Sequence, residues 1–233
     1  MANPSPSRRT RRRAESPHRH GDQRETAILA SLEKLLEISP LASVSIDDIA
    51  KGAGISRPTL YFYFASRSQV FESLLARTLS ELSGPAQDLL ADPDQHPDEF
   101  VDEILRHVLE SWRQHGTVLR RAVEASDDPA INRLWQQTMA AHISALATWI
   151  RRGRERGIFL DTGEDPAELA EALAWMVERG YYQLFREEHS PAEEERKVVV
   201  FSAVFQRACG YPGPGSLAAG HGTATDPHTE ADR

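Results

Sequence analysis

Between Ser45 and Arg67 the chain reads SIDDIAKGAGISRPTLYFYFASR, a run in which hydroxyls, arginines and flat rings recur at helical spacing. Ser45 is a helix N-cap type, and Asp48 sits three residues on, where a capping box needs an acceptor. Ile46, Ile49 and Ala50 follow i, i+3, i+4 spacing, which makes one side of this first short helix apolar. Gly52 and Gly54 bracket a turn and tolerate positive φ, and Ile55 can plug the angle that follows. Ser56 caps a second helix, with Pro58 in its first turn where no intrahelical N–H is required. Leu60 and Phe64 lie four apart and face inward, and Phe62 is assigned to packing with Phe64. Ser56, Arg57, Thr59, Tyr61 and Tyr63 are left outside, where a solvated helix would carry Glu and Lys. The bland alternative is a core aromatic cluster at residues 61–64, but caps, turn and spacing together predict a helix-turn-helix whose second helix enters the DNA major groove. Arg57, Thr59, Tyr61 and Tyr63 then contact bases or phosphates. Ser45, Ser56 and Arg67 position the DNA backbone, the two serines with help from helix N-terminal dipoles.

The elements that must hold this segment follow from caps and periodicity. Asp22 is expected to open the first helix with Glu25 as its partner, and Ile28, Leu32, Leu35 and Leu36 form its apolar stripe. Ser66, with Gln69, caps a fourth helix running from Arg67 toward Leu82, with Val70, Phe71, Leu74, Leu75 and Leu79 inward. Gly84-Pro85 and the Asp92–Pro97 segment read as breakers. Pro97 starts a helix that Gly116 is expected to stop near His115, and a short helix over 117–125 follows. Asp128-Pro129, Asp165-Pro166 and Ser190-Pro191 each pair a cap with an N1 proline, the first opening a long helix to about Arg156 and the last leading to a stop at Gly210. The sum is an all-α chain of about nine helices with no convincing strand.

Composition narrows the classes. The 233 residues suit one large or two small domains with an ordinary apolar core. No run is long and apolar enough to span a membrane, and no apolar segment follows the N-terminal arginines as a secretory signal requires. Cys209 is the single cysteine, expected as a buried apolar residue in a reducing cytoplasm. The net charge of −8 is unevenly placed. Residues 1–24 hold seven arginines against Glu15 and Asp22, so a net +5 there leaves −13 for the remainder. Residues 1–21 read as a disordered arm, either binding phosphate without sequence preference or serving only as a solubilising tail. Residues 212–233 read as a second disordered segment. His18 and His20 lack companion ligands, and no metal or cofactor is expected. Nor does any nucleophile–base pair, Gly-rich phosphate loop or metal spacing point to an enzyme. Asp47 and Asp48 serve as surface and cap, and Glu178-Arg179 reads as a structural ion pair.

The run at Ser45, Asp48-Ile49-Ala50, Gly52-Ala53-Gly54, Ser56-Arg57, Thr59-Leu60-Tyr61, Tyr63-Phe64 and Ser66-Arg67 resembles the DNA-binding domain of TetR-family transcriptional regulators. The resemblance is most specific from Arg24 to Leu75. It continues more weakly through Leu134-Trp135, Met139, Arg154-Glu155-Arg156-Gly157 and the segment around Met176 and Arg179. It implies an arm at 1–21, a helix-turn-helix domain at 22–66, a ligand-binding and dimerisation domain at 67–211 and a tail beyond. In one similar family member the second domain encloses a long apolar tunnel. The matching positions here are Trp112, Trp135, Met139, His142, Leu146, Ala174, Val177 and Tyr182, with Ala174 and Val177 standing where that relative has amides. A hydrophobic small-molecule effector is implied. His142 is either a polar handle in that tunnel or a satisfied core histidine.

One helix-turn-helix reads few base pairs, so a homodimer on a palindromic double-stranded operator is expected. Leu169, Leu173, Met176 and Val177, with Val198, Val199, Phe201, Val204 and Phe205, offer apolar faces that either pair across a two-fold or close the monomer core. The functional expectation is a repressor released by its ligand. An activator of the same fold, or a ligand-binding protein without DNA binding, remain the alternatives.

Overall fold

In the computed structural model the described residues are 17–91 and 97–213. Among them the chain forms eight α-helices, a 3-10 turn at Leu41–Ser43 and no strand. The helices are α1 (Pro17–Ile38), α2 (Ile46–Gly52), α3 (Arg57–Tyr63), α4 (Arg67–Ala91), α5 (Pro97–Glu124), α6 (Pro129–Glu155), α7 (Pro166–Leu184) and α8 (Pro191–Ala208). Two compact units result, one ending at Leu74 and the other beginning at Leu75.

The first unit closes on Ile28, Leu32, Leu36, Ile49, Leu60 and Phe71, all withdrawn from solvent. Ser45 and Asp48 form the reciprocal capping box that starts α2. The Ser56 hydroxyl accepts from the Thr59 N–H at 3.3 Å to start α3. Between them Gly54 takes φ +67°, the left-handed conformation that favours glycine. Gly52 has a different role. A Cβ there would run into the Ser31 side chain of α1, whose hydroxyl donates to the Ile49 carbonyl at 2.9 Å. The absent side chain therefore lets α1 and α2 meet through a buried hydrogen bond.

In the second unit α6 packs chiefly on α7, and α5 on α8. Phe100, Ile131 and Tyr181 are buried at its centre, and the Tyr181 hydroxyl donates to the Leu105 carbonyl at 3.1 Å. An ion-pair ladder runs along the α5–α8 seam. Arg106 forks onto the two Glu195 carboxylate oxygens at 2.9 and 2.7 Å. Arg113 donates to the buried Glu194 at 2.6 Å, which His189 meets from the other side at 3.0 Å. Burial pushes the Glu194 carboxyl up, but Arg113 and His189 together hold it below the usual carboxylate value. Cys209 is buried as expected, and desolvation pushes its thiol up to about 12.

Several boundaries differ from the sequence expectation. Asp22 is not a cap: α1 already begins at Pro17, which stands at a first helical position where its missing N–H costs nothing, and the Thr26 hydroxyl donates to the Asp22 carbonyl at 2.8 Å. Gln69 reaches the Ala65 N–H, one residue before the expected Ser66, while Ser66 caps α4 through the Gln69 N–H. Gly84-Pro85 does not break α4, which continues to Ala91. The His107 ring meets the Leu82 carbonyl at 3.2 Å, supplying a side-chain partner in the turn before the proline. Gly116 does not stop α5 either. It lies inside one helix running to Glu124, with the Phe185 ring against its backbone, so eight helices replace the expected nine. The unit boundary falls inside α4 and not ahead of it, because Val70, Phe71 and Leu74 are fully buried in the first two turns. The expected arm at 1–16 and the tail at 214–233 lie outside the described residues.

Two glycine substitutions separate these roles. Gly52→Ala should lower unfolding stability by about 1–2 kcal/mol through loss of the Ser31–Ile49 hydrogen bond. Gly116→Ala, whose Cβ would meet Phe185 at an ordinary 3.5 Å, should raise it by about 1 kcal/mol through helix propensity. Urea titrations of the two variants check both signs.

Candidate nucleic-acid interface and ligand cavity

The outward face of α3 is built by its cap and its inward leucine. Leu60 is fully buried, which turns Arg57, Tyr61 and Phe62 outward. Arg57 donates to Asp47 at 3.1 Å and to the Tyr61 hydroxyl at 3.2 Å, and its guanidinium lies 5.5 Å from the Tyr61 ring centre. Tyr61 and Asp47 hold this guanidinium still more firmly protonated. Ser56 and Thr59 share a hydroxyl–hydroxyl bond of 2.8 Å, and Tyr63 is half-buried against Phe62, ring centres 5.3 Å apart. Ser45 is exposed at the start of α2, its hydroxyl engaged with Asp48.

Two expectations change here. Phe62 is 83 % exposed, not packed. It follows the buried Leu60 by two positions, about 200° around the helix, and so points away from the core. Arg67 is turned inward: its Nη1 donates to the Ala42 and Val44 carbonyls at 2.8 and 2.7 Å, pinning the 3-10 turn instead of standing free for phosphate.

The second unit contains a cavity of about 160 Å³. Trp112, Trp135, Met139, His142, Leu146, Ala174 and Val177 all line it, so the structure gathers these sequence-singled positions in one wall. Tyr182 does not line it. Its ring packs edge-on to Trp112 at 6.5 Å and carries the Arg179 guanidinium at 4.9 Å on one side. Trp149 likewise belongs to a packing stack with Phe100 and Phe159, at 4.3 and 4.8 Å. Sequence reasoning missed the α4 contribution and most of that from α5, among them Leu79, Leu82, Ile104 and Val108. The amphipathic spacing of Ile104 and Val108 was visible, but such spacing marks core and cavity alike.

The larger omission is Glu178. It lines the cavity, and its side chain is only 6 % exposed. The Arg179 Nε lies 3.7 Å from it without a hydrogen bond, so the expected ion pair is loose and both carboxyl oxygens are buried without a partner. Burial pushes the Glu178 carboxyl up, only partly opposed by Arg179. His142 also stands in the wall with Nε2 buried and unpartnered, and burial together with the nearby His107 lowers its pKa. An unmade buried hydrogen bond of this kind costs about 1–3 kcal/mol. His142 is thus not a satisfied core histidine.

A helix-turn-helix followed by a helical bundle with a largely apolar cavity is the architecture of a transcriptional regulator. Residues 28–74 match the family of bacterial regulatory proteins, tetR family, and residues 101–209 match the transcriptional regulator EthR, C-terminal domain. The chain is 34 % identical over 199 residues to the HTH-type transcriptional regulator EthR of Mycolicibacterium smegmatis, covering 84 % of this chain and 91 % of that one. With its Mycobacterium tuberculosis counterpart it shares 39 % over 179 residues, 76 % of this chain and 82 % of the relative. Solved structures with the same fold include a putative regulator from Saccharomonospora viridis in complex with choline (TM-score 0.68, 20 % identity, covering 79 % and 96 %). A putative TetR-family regulator from Mesorhizobium loti gives TM-score 0.64 at 19 % identity, covering 83 % of this chain and 98 % of that one. The chain belongs to the TetR family of transcriptional regulators, with an EthR-type C-terminal domain. Among the described residues no helix is long and apolar enough to cross a membrane.

The buried acid has a pH signature. Its folded pKa is raised, so its contribution to stability is full below the unfolded value and is lost as pH rises toward the folded one. Wild type should therefore gain stability relative to Glu178→Gln as pH falls from 7 toward 5. Parallel thermal melts across that range check the sign.

Proposed function

We propose that this regulator is a repressor, acting in the cytoplasm, that binds a palindromic operator as a homodimer and releases it when a small molecule with a largely apolar body fills the bundle cavity. The observation that carries the DNA half is the outward face of α3. Arg57, Tyr61 and Phe62 are exposed together beside the Ser56 and Thr59 hydroxyls. Such a surface offers a charge for phosphate, donors for base edges and rings for thymine methyl groups. Ser45 and Ser56, at two helix N-termini, suit backbone phosphates.

The dimer reading is supported by α8. Val198, Phe201 and Phe205 are buried, whereas Val199, Val200 and Val204 are exposed on the same helix. That second apolar face suits a two-fold partner. The effector reading is supported by the mainly apolar cavity wall formed around Trp112, Trp135, Met139, Leu146, Ala174 and Val177, with His142 beside them. α4 supplies Leu79 and Leu82 to that wall, while its first turns belong to the DNA-reading unit. A ligand that displaces α4 changes the separation of the two recognition helices, and DNA tolerates only a fixed half-site spacing. Tyr182, behind Trp112, supports the wall without facing the ligand.

Tyr61→Ala should weaken operator affinity about tenfold or more while leaving the thermal melt unchanged. Fluorescence anisotropy on an operator mapped by footprinting measures it, and unchanged affinity would argue against this docking. A monomeric mass at micromolar concentration would contradict the dimer.

A further inference from the structure

The cavity wall carries polar side chains of two kinds. Ser111 donates its hydroxyl to the His107 carbonyl at 2.8 Å, and Thr138 donates to the Leu134 carbonyl at 3.1 Å. His107 itself meets the Leu82 carbonyl. In these three the donated hydrogen is already engaged by a carbonyl of their own or a neighbouring helix. His142 Nε2 and the two Glu178 oxygens are buried with no hydrogen bond, in a mostly apolar lining. Arg179 stands beside Glu178 but lies too far for a hydrogen bond and over the face of the Tyr182 ring.

Both unpartnered groups can accept. A neutral imidazole accepts at Nε2 when its proton sits on Nδ1, and a carboxylate only accepts. A hydrocarbon would leave both orphaned. An acidic ligand would bring a second carboxylate to a wall that already lacks a partner for its own. A protonated amine supplies what is missing: a charge for Glu178 and further N–H donors within the same head. The space left for the body is comparable to that of an apolar cavity that holds a single aromatic ring.

We propose that the cavity takes a ligand with an apolar body and one basic nitrogen, the body resting among Trp112, Trp135, Met139 and Val177 and the nitrogen donating to Glu178, with His142 as its second acceptor. This rests on the reading of the cavity as the effector site and specifies what that site selects. It also assigns Glu178 as the specificity-determining residue, in a position where the sequence alone suggests a structural ion pair.

The test is calorimetric titration of the full chain at pH 7 with three probes of one shape: phenylpropylamine, phenylpropanol and phenylpropanoate. The amine is expected to bind about tenfold more tightly than the alcohol, the increment of a charged hydrogen bond, and the carboxylate most weakly. In Glu178→Gln the advantage of the amine over the alcohol should disappear. Equal binding of amine and alcohol to wild type, a carboxylate preference, or an amine preference surviving in Glu178→Gln would each overturn the proposal while leaving an apolar effector site standing. If no probe binds, the effector reading fails with it. Should Glu178→Gln not fold, by circular dichroism, the wild-type ranking decides alone.

Discussion

A single buried contact sets the geometry on which DNA reading depends. The Ser31 hydroxyl of α1 reaches the Ile49 carbonyl of α2 at the place where Gly52 leaves no side chain in the way. With α2 fixed, the left-handed turn at Gly54 and the Ser56 cap decide where α3 starts, and the burial of Leu60 decides its rotation. Arg57, Tyr61 and Phe62 then have one direction left to face. Inserting a recognition helix into a groove tolerates little angular error, so a glycine packed against α1 constrains the proposed interface through position alone. Arg67 belongs to the same scaffold, tying the start of α4 to the carbonyls of the 3-10 turn region.

The second unit obeys a different constraint. Its seam is held by charge, through Arg106 with Glu195 and Arg113 with Glu194, while its interior leaves a carboxyl and an imidazole unmatched. Natural cores pair nearly all buried polar groups. Two exceptions stand in the wall of one cavity, and they are the groups that the proposed ligand would pair. α4 bridges both constraints, since its first turns close one core and its later turns line the cavity.

The helix-turn-helix was largely legible in the sequence because caps and turns are local. Ser45 with Asp48, Ser56 with Pro58, and glycine at 54 each act within a few residues, and each took the expected conformation. The stripe Trp135, Met139, His142 and Leu146 was legible from periodicity and from family resemblance, and it gathers on one cavity. What failed depended on distant partners. Gly116 reads as a helix stop until Phe185 packs on it, and Gly84-Pro85 reads as a break although α4 runs on. Phe62 sits in a run of four rings whose inward members only a tertiary core can choose. Glu178 and Arg179 do pair, at 3.7 Å, but nothing local reveals that burial leaves the carboxyl without a hydrogen bond.

The central claim is that α3 reads duplex DNA by sequence. It is tested most directly by titrating the purified chain, at low ionic strength, with duplexes taken from the promoter region adjoining its own gene and with shuffled versions of the same duplexes. The account predicts tight binding to one native duplex, weakening as salt displaces the protein from phosphate, and far weaker binding to its shuffled copy. Equal affinity for native and shuffled duplexes, or none for either, would contradict it.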